Sequence, residues 1–164
     1  LDTAGLQYLG GRSQVITVGG AELLLAGNEL PWFPPAADPR NFPPEPDAGQ
    51  RFRLLLAHSP DQYAWARRHD FDLMLAGHNH GGQIRLPGLG PLLAPSHFGV
   101  RYASGVFHEP PTVLHVGRGV SAQQPLRLNC PPEVTRLVLQ CAAKVTPPRE
   151  EQIEVGHPAL VDKT

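Results

Sequence analysis

Apolar positions along the chain gather in short runs separated by glycine and proline. Residues 14–18 (Gln-Val-Ile-Thr-Val) and 21–26 (Ala-Glu-Leu-Leu-Leu-Ala) have β-type composition, and the intervening Gly19-Gly20 is a two-residue hairpin signal. Residues 31–50 are proline-rich and poor in apolar side chains, which predicts an extended loop. Phe52 to Ala57 is an apolar run broken only by Arg53, the pattern of a strand buried on both faces. Ser59-Pro60-Asp61 follows at once and reads as a helix start. Ser59 is the cap, Pro60 fits the first position, and Asp61 sits at the positive end of the dipole. That helix is expected to reach about His69. Phe71 to Ala76 is a second buried run, and residues 83–86, 102–107, 112–116 and 134–139 predict four further strands. The segment from Lys144, with Pro147-Pro148, a charged run and little periodicity, predicts a disordered tail over 144–164 behind one domain at 1–143.

Composition narrows this picture. A chain of 164 residues is one domain's worth. Its 17 glycines and 19 prolines are nearly twice their joint average share of about 12%, so much of the surface is loop. With 14 basic against 15 acidic residues the net charge is -1, which gives no electrostatic ground for nucleic acid or an anionic membrane as partner. Two cysteines, Cys130 and Cys141, make no disulfide framework and read as free thiols. No apolar run approaches the roughly 20 residues of a membrane helix, and no signal peptide is visible. The chain begins at Leu1 rather than at a methionine, so a fragment or processed product is expected.

Candidate chemistry lies at the ends of the two central runs. Strand, helix and strand over residues 52–76 form a parallel unit, so both strands end on the same sheet edge. The first run ends in His58, and the second leads into Gly77-His78-Asn79-His80-Gly81-Gly82. Adjacent strands lie about 4.8 Å apart, which lets imidazoles leaving two such ends share a metal ion. Ligand sites of open α/β sheets form at this edge. The glycines give room for tight turns and for a bound group close to the backbone. The other histidines have structural readings. His69 closes the helix, His115 alternates in a strand, His97 and His108 lie in a loop and at a strand end, and His157 is in the tail.

His58-Ser59-Pro60-Asp61, followed by Gly77-His78-Asn79-His80-Gly81-Gly82-Gln83, resembles the last two sequence blocks of the calcineurin-like metallophosphoesterases. The likeness is closest to the bacterial subgroup typified by YkuE and YaeI. It continues through Arg85-Leu86-Pro87-Gly88, Gly117-Arg118-Gly119 and Cys130-Pro131-Pro132-Glu133-Val134. The resemblance implies an α/β fold, here the C-terminal half of a four-layered α/β/β/α sandwich. It implies hydrolysis of a phosphate mono- or diester, and two divalent ions in the complete enzyme. His58 and His78 would bind one ion and His80 the other. Imidazole ligands suit Mn, Fe, Zn or Co. The subgroup points to a phosphate-ester substrate, lipid-linked in one version, and to a cytoplasmic location or a peripheral one at the cytoplasmic membrane.

The sequence also departs from that family. The earlier blocks, Asp-x-His, Gly-Asp and Gly-Asn-His-Asp/Glu, are absent, and with them the carboxylate ligands and the catalytic histidine. Gly27-Asn28-Glu29 looks like the third block without its histidine, and Asn28 reads as a turn residue after a strand. Two dications about 3.5–4 Å apart require bridging anionic ligands, which three neutral imidazoles do not provide. Asp61, Asp70 and Asp72 are placed to serve elsewhere. The chain is therefore expected to hold at most a partial site, to be inactive alone, and to need the missing N-terminal half of the domain as partner. Two alternatives stand beside this reading. One is a non-catalytic remnant serving as a binding module. The other is a mononuclear Zn hydrolase with three histidines and an open position.

Overall fold

Gly19 and Gly20 take φ values of 58° and 82°, the left-handed pair that a type I′ hairpin demands, and they turn the chain between β1 (Ser13–Val18) and β2 (Ala21–Asn28). The computed structural model describes residues 5–46, 49–121 and 126–140, so the expected tail at 144–164, Cys141 and His157 lie outside the described residues. β3 (Phe52–Ala57), α1 (Tyr63–Arg68) and β4 (Leu73–Ala76) follow, with β3 and β4 adjacent and parallel. Ser59 caps as its sequence suggests: its hydroxyl accepts from Asp61 N–H at 3.3 Å, above a 3-10 turn over Pro60–Gln62 that opens into α1. His69 closes the helix.

After a two-residue ribbon of β5 (Arg85–Leu86) and β6 (Gly90–Pro91), the chain adds β7 (Gly105–Glu109) and β8 (Thr112–Val116). The main sheet has six strands in the order β1-β2-β3-β4-β8-β7. Its middle four are parallel to one another, and the two outer strands are antiparallel to their neighbours. The architecture is α/β, as expected.

Register decides what each face does. Ala26, Leu55, Met74 and Leu114 stand in one row, are fully buried, and form the core with Tyr63, Ala66 and Phe71 from the helical side. The next row, Leu56, Leu75, His115 and Val106, faces the other way. On that face Leu56 and Phe52 are exposed and Val106 retains 66% of its accessible surface. The expectation that the Phe52–Ala57 strand is buried on both faces therefore fails: one face has a core and the other is open.

Three expected strands also change. The run at 83–86 yields only the two-residue strand Arg85–Leu86 and an isolated bridge from Ile84 to Leu128, and the strand placed at 102–107 begins at Gly105. The expected strand at 134–139 does not form. Residues 133–140 cross the open face instead of lying along an edge. Thr135 and Leu137 line a cavity with Leu75 and His115, while Leu139 and Gln140 line another with Leu23 and Phe52. A segment crossing a face meets no row of free backbone groups, so its apolar pattern cannot become a ladder.

Candidate metal centre

The ends of β3 and β4 are tied together where the candidate residues begin. Gly77 N–H donates to the His58 carbonyl at 3.2 Å, holding the two strand exits side by side. The chain then turns through a loop in which His78, His80 and Gln83 have φ values of 70°, 48° and 50°. Left-handed backbone at non-glycine residues costs of order 1–3 kcal/mol each and persists only where the surroundings enforce it. Here they do. Asn79 is buried and its amide donates to the Tyr102 carbonyl at 3.0 Å, pinning the loop to the core. Gly81 has φ 69°, and a Cβ there would lie 2.6 Å from Cys130 Sγ, so no other residue fits.

His58 Nε2 and His78 Nδ1 lie 3.0 Å apart, with ring centroids 4.7 Å apart. One of the two nitrogens carries the proton of this contact. His78 Nε2 is buried and makes no hydrogen bond of good geometry among the described residues, although the Pro95 backbone lies close to the ring. Burial first, and then the neighbouring His58 ring, hold His78 below the usual histidine pKa, with the Pro95 backbone offsetting part of the shift, so it stays neutral and one of its ring nitrogens keeps a lone pair. The Trp32 ring packs against both histidines, at 5.0 Å from His78 and 5.9 Å from His58. Trp32, Phe33, His58, His78, His80, Gln83 and Pro95 line one cleft of about 540 Å3. His78 and His80 also line the cavity behind the loop, with His115, Arg118 and Glu133.

Of the three histidines singled out by sequence, two are thus in contact and the third, His80, shares their cleft. Among the described residues no group of three or more His, Cys, Asp or Glu side chains is placed to hold a metal ion. The acidic residues nearby are committed elsewhere. Asp61 accepts from Ser96 Oγ at 2.5 Å and from His97 N–H at 3.0 Å, Glu29 accepts from Tyr8 Oη at 2.8 Å, and Glu133 pairs with Arg118 at 3.6 Å. The pair His58–His78, with an orphaned ring nitrogen beside it, fits the histidine part of a metal site. The donor set does not fit two dications, because no carboxylate joins the three histidines in their cleft.

Asn28 is not the turn residue that its position after residue 26 implied. It is the last residue of β2 and fully buried, with Oδ1 accepting from Leu30 N–H at 3.1 Å and Nδ2 donating to Gln62 Oε1 at 3.1 Å. Its amide is consumed in anchoring the Trp32 loop. His97 and His108 are exposed, and neither lines the cleft. Sequence reasoning missed Trp32, Phe33 and Pro95. The available signal was a Trp-Phe pair inside a proline-rich stretch, too large and apolar for a plain linker.

No family model and no solved structure matches the chain. Curated relatives do. It is 38% identical over 143 residues to phosphodiesterase YaeI of Escherichia coli, covering 85% of this chain and 49% of the relative. It is 33% identical over 148 residues to an uncharacterized metallophosphoesterase of Helicobacter pylori, covering 85% of this chain and 37% of the relative. It is 29% identical over 100 residues to UDP-2,3-diacylglucosamine pyrophosphatase LpxG of Chlamydia muridarum, covering 54% and 28%. The chain spans about half the length of the E. coli relative, or less of the others. Its paired strand-end histidines agree with what these similarities say: the chain belongs to the metallophosphoesterase family.

Proposed function

We propose that the chain is the C-terminal part of a binuclear metal-dependent phosphoesterase that hydrolyses a phosphate mono- or diester. In this reading His58 and His78 bind one ion and His80 the other. The observation that carries it is the meeting of His58 Nε2 and His78 Nδ1 at 3.0 Å across the ends of adjacent parallel strands. Divalent ions such as Mn, Fe, Zn or Co, once bound, supply Lewis-acid polarisation of the phosphoryl group and an acidified water. This chain's residues hold the His78 ring neutral and fix His58 and His78 at the ends of adjacent strands. The carboxylate ligands come from the N-terminal half of the four-layered sandwich. That half packs on the open face, where a sheet of this kind requires a second layer.

The substituent on the phosphate is apolar in this reading. Exposed Trp32 and Phe33 wall one side of the cleft. On the other side a trough of about 490 Å3, lined by Ile84, Leu92, Leu93 and Leu126, adjoins the cleft at Gln83 and Pro95. The diacylated compound in the name of the Chlamydia relative points the same way, to a lipid-linked phosphate. Cytoplasmic or peripheral membrane placement is compatible with such a substrate; no helix of the described residues is long and apolar enough to cross a membrane.

The test is turnover of bis(p-nitrophenyl) phosphate with added Mn2+. The chain alone is expected to show little or none. A longer protein carrying the preceding half is expected to be active, and His78→Ala within it to be inactive. Full activity of that His78→Ala variant would overturn the reading. Turnover by the chain alone, abolished by His78→Ala, would favour the mononuclear hydrolase. Inactivity of both chain and longer protein would favour the non-catalytic remnant.

A further inference from the structure

The His80 peptide is held from outside its own loop. Its carbonyl accepts from Gln83 N–H at 3.2 Å within the turn, from Cys130 Sγ–H at 3.3 Å, and from Arg127 Nη1 at 3.5 Å. The last two donors belong to residues 126–130, a segment stitched alongside the loop. Arg85 N–H donates to the Leu128 carbonyl at 2.9 Å, Leu128 N–H to the Gln83 carbonyl at 2.9 Å, and Asn129 Nδ2 to the Arg85 carbonyl at 3.0 Å.

Arg127 is unusual in its partners. Its guanidinium donates to the carbonyls of His80, Cys130, Arg118, Gly119 and Ser121, and no carboxylate among the described residues pairs with it. A fork of five N–H donors suits such a cage of backbone oxygens, and charge makes each bond stronger than a neutral one. Cys130 is fully buried, and its sulfur lies 2.6 Å from where a Cβ on Gly81 would stand. Together the two side chains close over a peptide whose φ of 48° is uncommon for any residue with a Cβ.

We propose that Arg127 and Cys130 are positioning residues: they lock the His80 peptide in its left-handed conformation and so aim the His80 ring into the cleft as a metal ligand. This rests on the reading of His58, His78 and His80 as ligands. Without the clasp the peptide relaxes to negative φ, and the ring swings away while His58 and His78, held by the strand ends, stay in place. A purely structural role would instead weaken all three histidines together.

The experiment uses the full chain, labelled with 13C and 15N, in wild-type form and as Arg127→Gln, Arg127→Lys, Cys130→Ala and Cys130→Ser. The metal-free readout is the His80 13Cα shift taken with its one-bond 13Cα–1Hα coupling, which together report the sign of φ. The second readout is a Zn2+ titration followed at the ring nitrogens of each histidine. Arg127→Gln and Cys130→Ala are expected to move the His80 shift to its right-handed value and to weaken the His80 response by about tenfold or more, the usual scale for an outer support of a ligand. His58 and His78 should respond as before. Cys130→Ser, which keeps a donor, should restore wild-type behaviour, and Arg127→Lys should fall between. An unchanged His80 shift in folded variants overturns the proposal, as does a parallel loss at all three histidines. A moved His80 shift in a chain whose three histidines ignore Zn2+ would sink the ligand reading and leave the backbone clasp supported.

Discussion

The two edges of the parallel sheet are built to opposite standards. At the N-terminal edge most charges and hydroxyls find partners, the buried Thr112 Oγ1 being the exception among the described residues. Tyr63 Oη donates to the Thr112 carbonyl at 2.8 Å and accepts from Glu109 N–H at 2.7 Å. Glu109 also takes the Tyr102 hydroxyl at 2.5 Å and ion pairs from Arg67 and Arg101 at 2.7 and 3.0 Å. At the C-terminal edge, His78 Nε2 and Asn79 Oδ1 are buried without a hydrogen bond among the described residues, Arg118 Nε has only an ion pair with Glu133 at 3.6 Å, and three non-glycine residues are left-handed against one, Asp70, at the other edge. Strain and unspent hydrogen-bonding capacity concentrate where a ligand would use them. The first edge is scaffold, and the second holds the features of a site.

The comparison breaks most easily at Gly81. Gly81→Ala forces a Cβ to within 2.6 Å of Cys130 Sγ at φ 69°, and should destabilise the chain by about 3 kcal/mol or more, measured by urea unfolding. A loss within about 0.5 kcal/mol would show that the loop is soft and its strain unenforced.

Tyr102→Phe probes the other edge. It removes one donor to Glu109 and should cost about 1–2 kcal/mol at neutral pH, leaving the His58 and His78 resonances unmoved. Burial first, and then the hydrogen bond to Glu109, push Tyr102 up to about 12. Because its folded value is raised, its contribution is present below the ordinary pKa near 10. It is lost as pH climbs from there toward 12. The wild-type stability curve should fall in that alkaline window, and Tyr102→Phe should flatten the fall.

The smallest effect lies in acid at the C-terminal edge. His78 has a depressed pKa in the fold, so the unfolded chain binds its proton first. Its contribution is present above the ordinary value near 6.5 and is lost as pH drops from there to the folded value. His78→Gln should reduce this acid-side slope while leaving the alkaline one intact. An unchanged slope would place the titrating group elsewhere.

What was legible in the sequence follows from the same contrast. The hairpin at Gly19-Gly20, the β3–α1–β4 unit and β8 were readable because apolar runs with clear stops encode them locally. So was the placing of His58 and His78 at neighbouring strand ends, which needs only parallel pairing. The crossing segment at 134–139 was not readable, because its apolar residues match a strand pattern and only the tertiary arrangement denies it an edge. The left-handed backbone at His78, His80 and Gln83 leaves no mark when the residues are not glycine. Trp32 was hidden because a loop residue's reach depends on where the loop is pinned, here by the Asn28 amide to Leu30 and Gln62. The open face was masked too, since one buried row and one uncovered row both read as apolar.

The central claim is that the strand-end histidines form the histidine part of a metal site, and a metal titration tests it most directly. With 15N-labelled histidine, Zn2+ added to the chain should shift the ring nitrogens of His58 and His78 together, at one shared affinity, and perturb His80 in the same cleft. His69, His97 and His108 should stay unmoved. Zn2+ binding that leaves His58 and His78 untouched, or that moves them only at the concentration that moves the exposed histidines, would contradict the account.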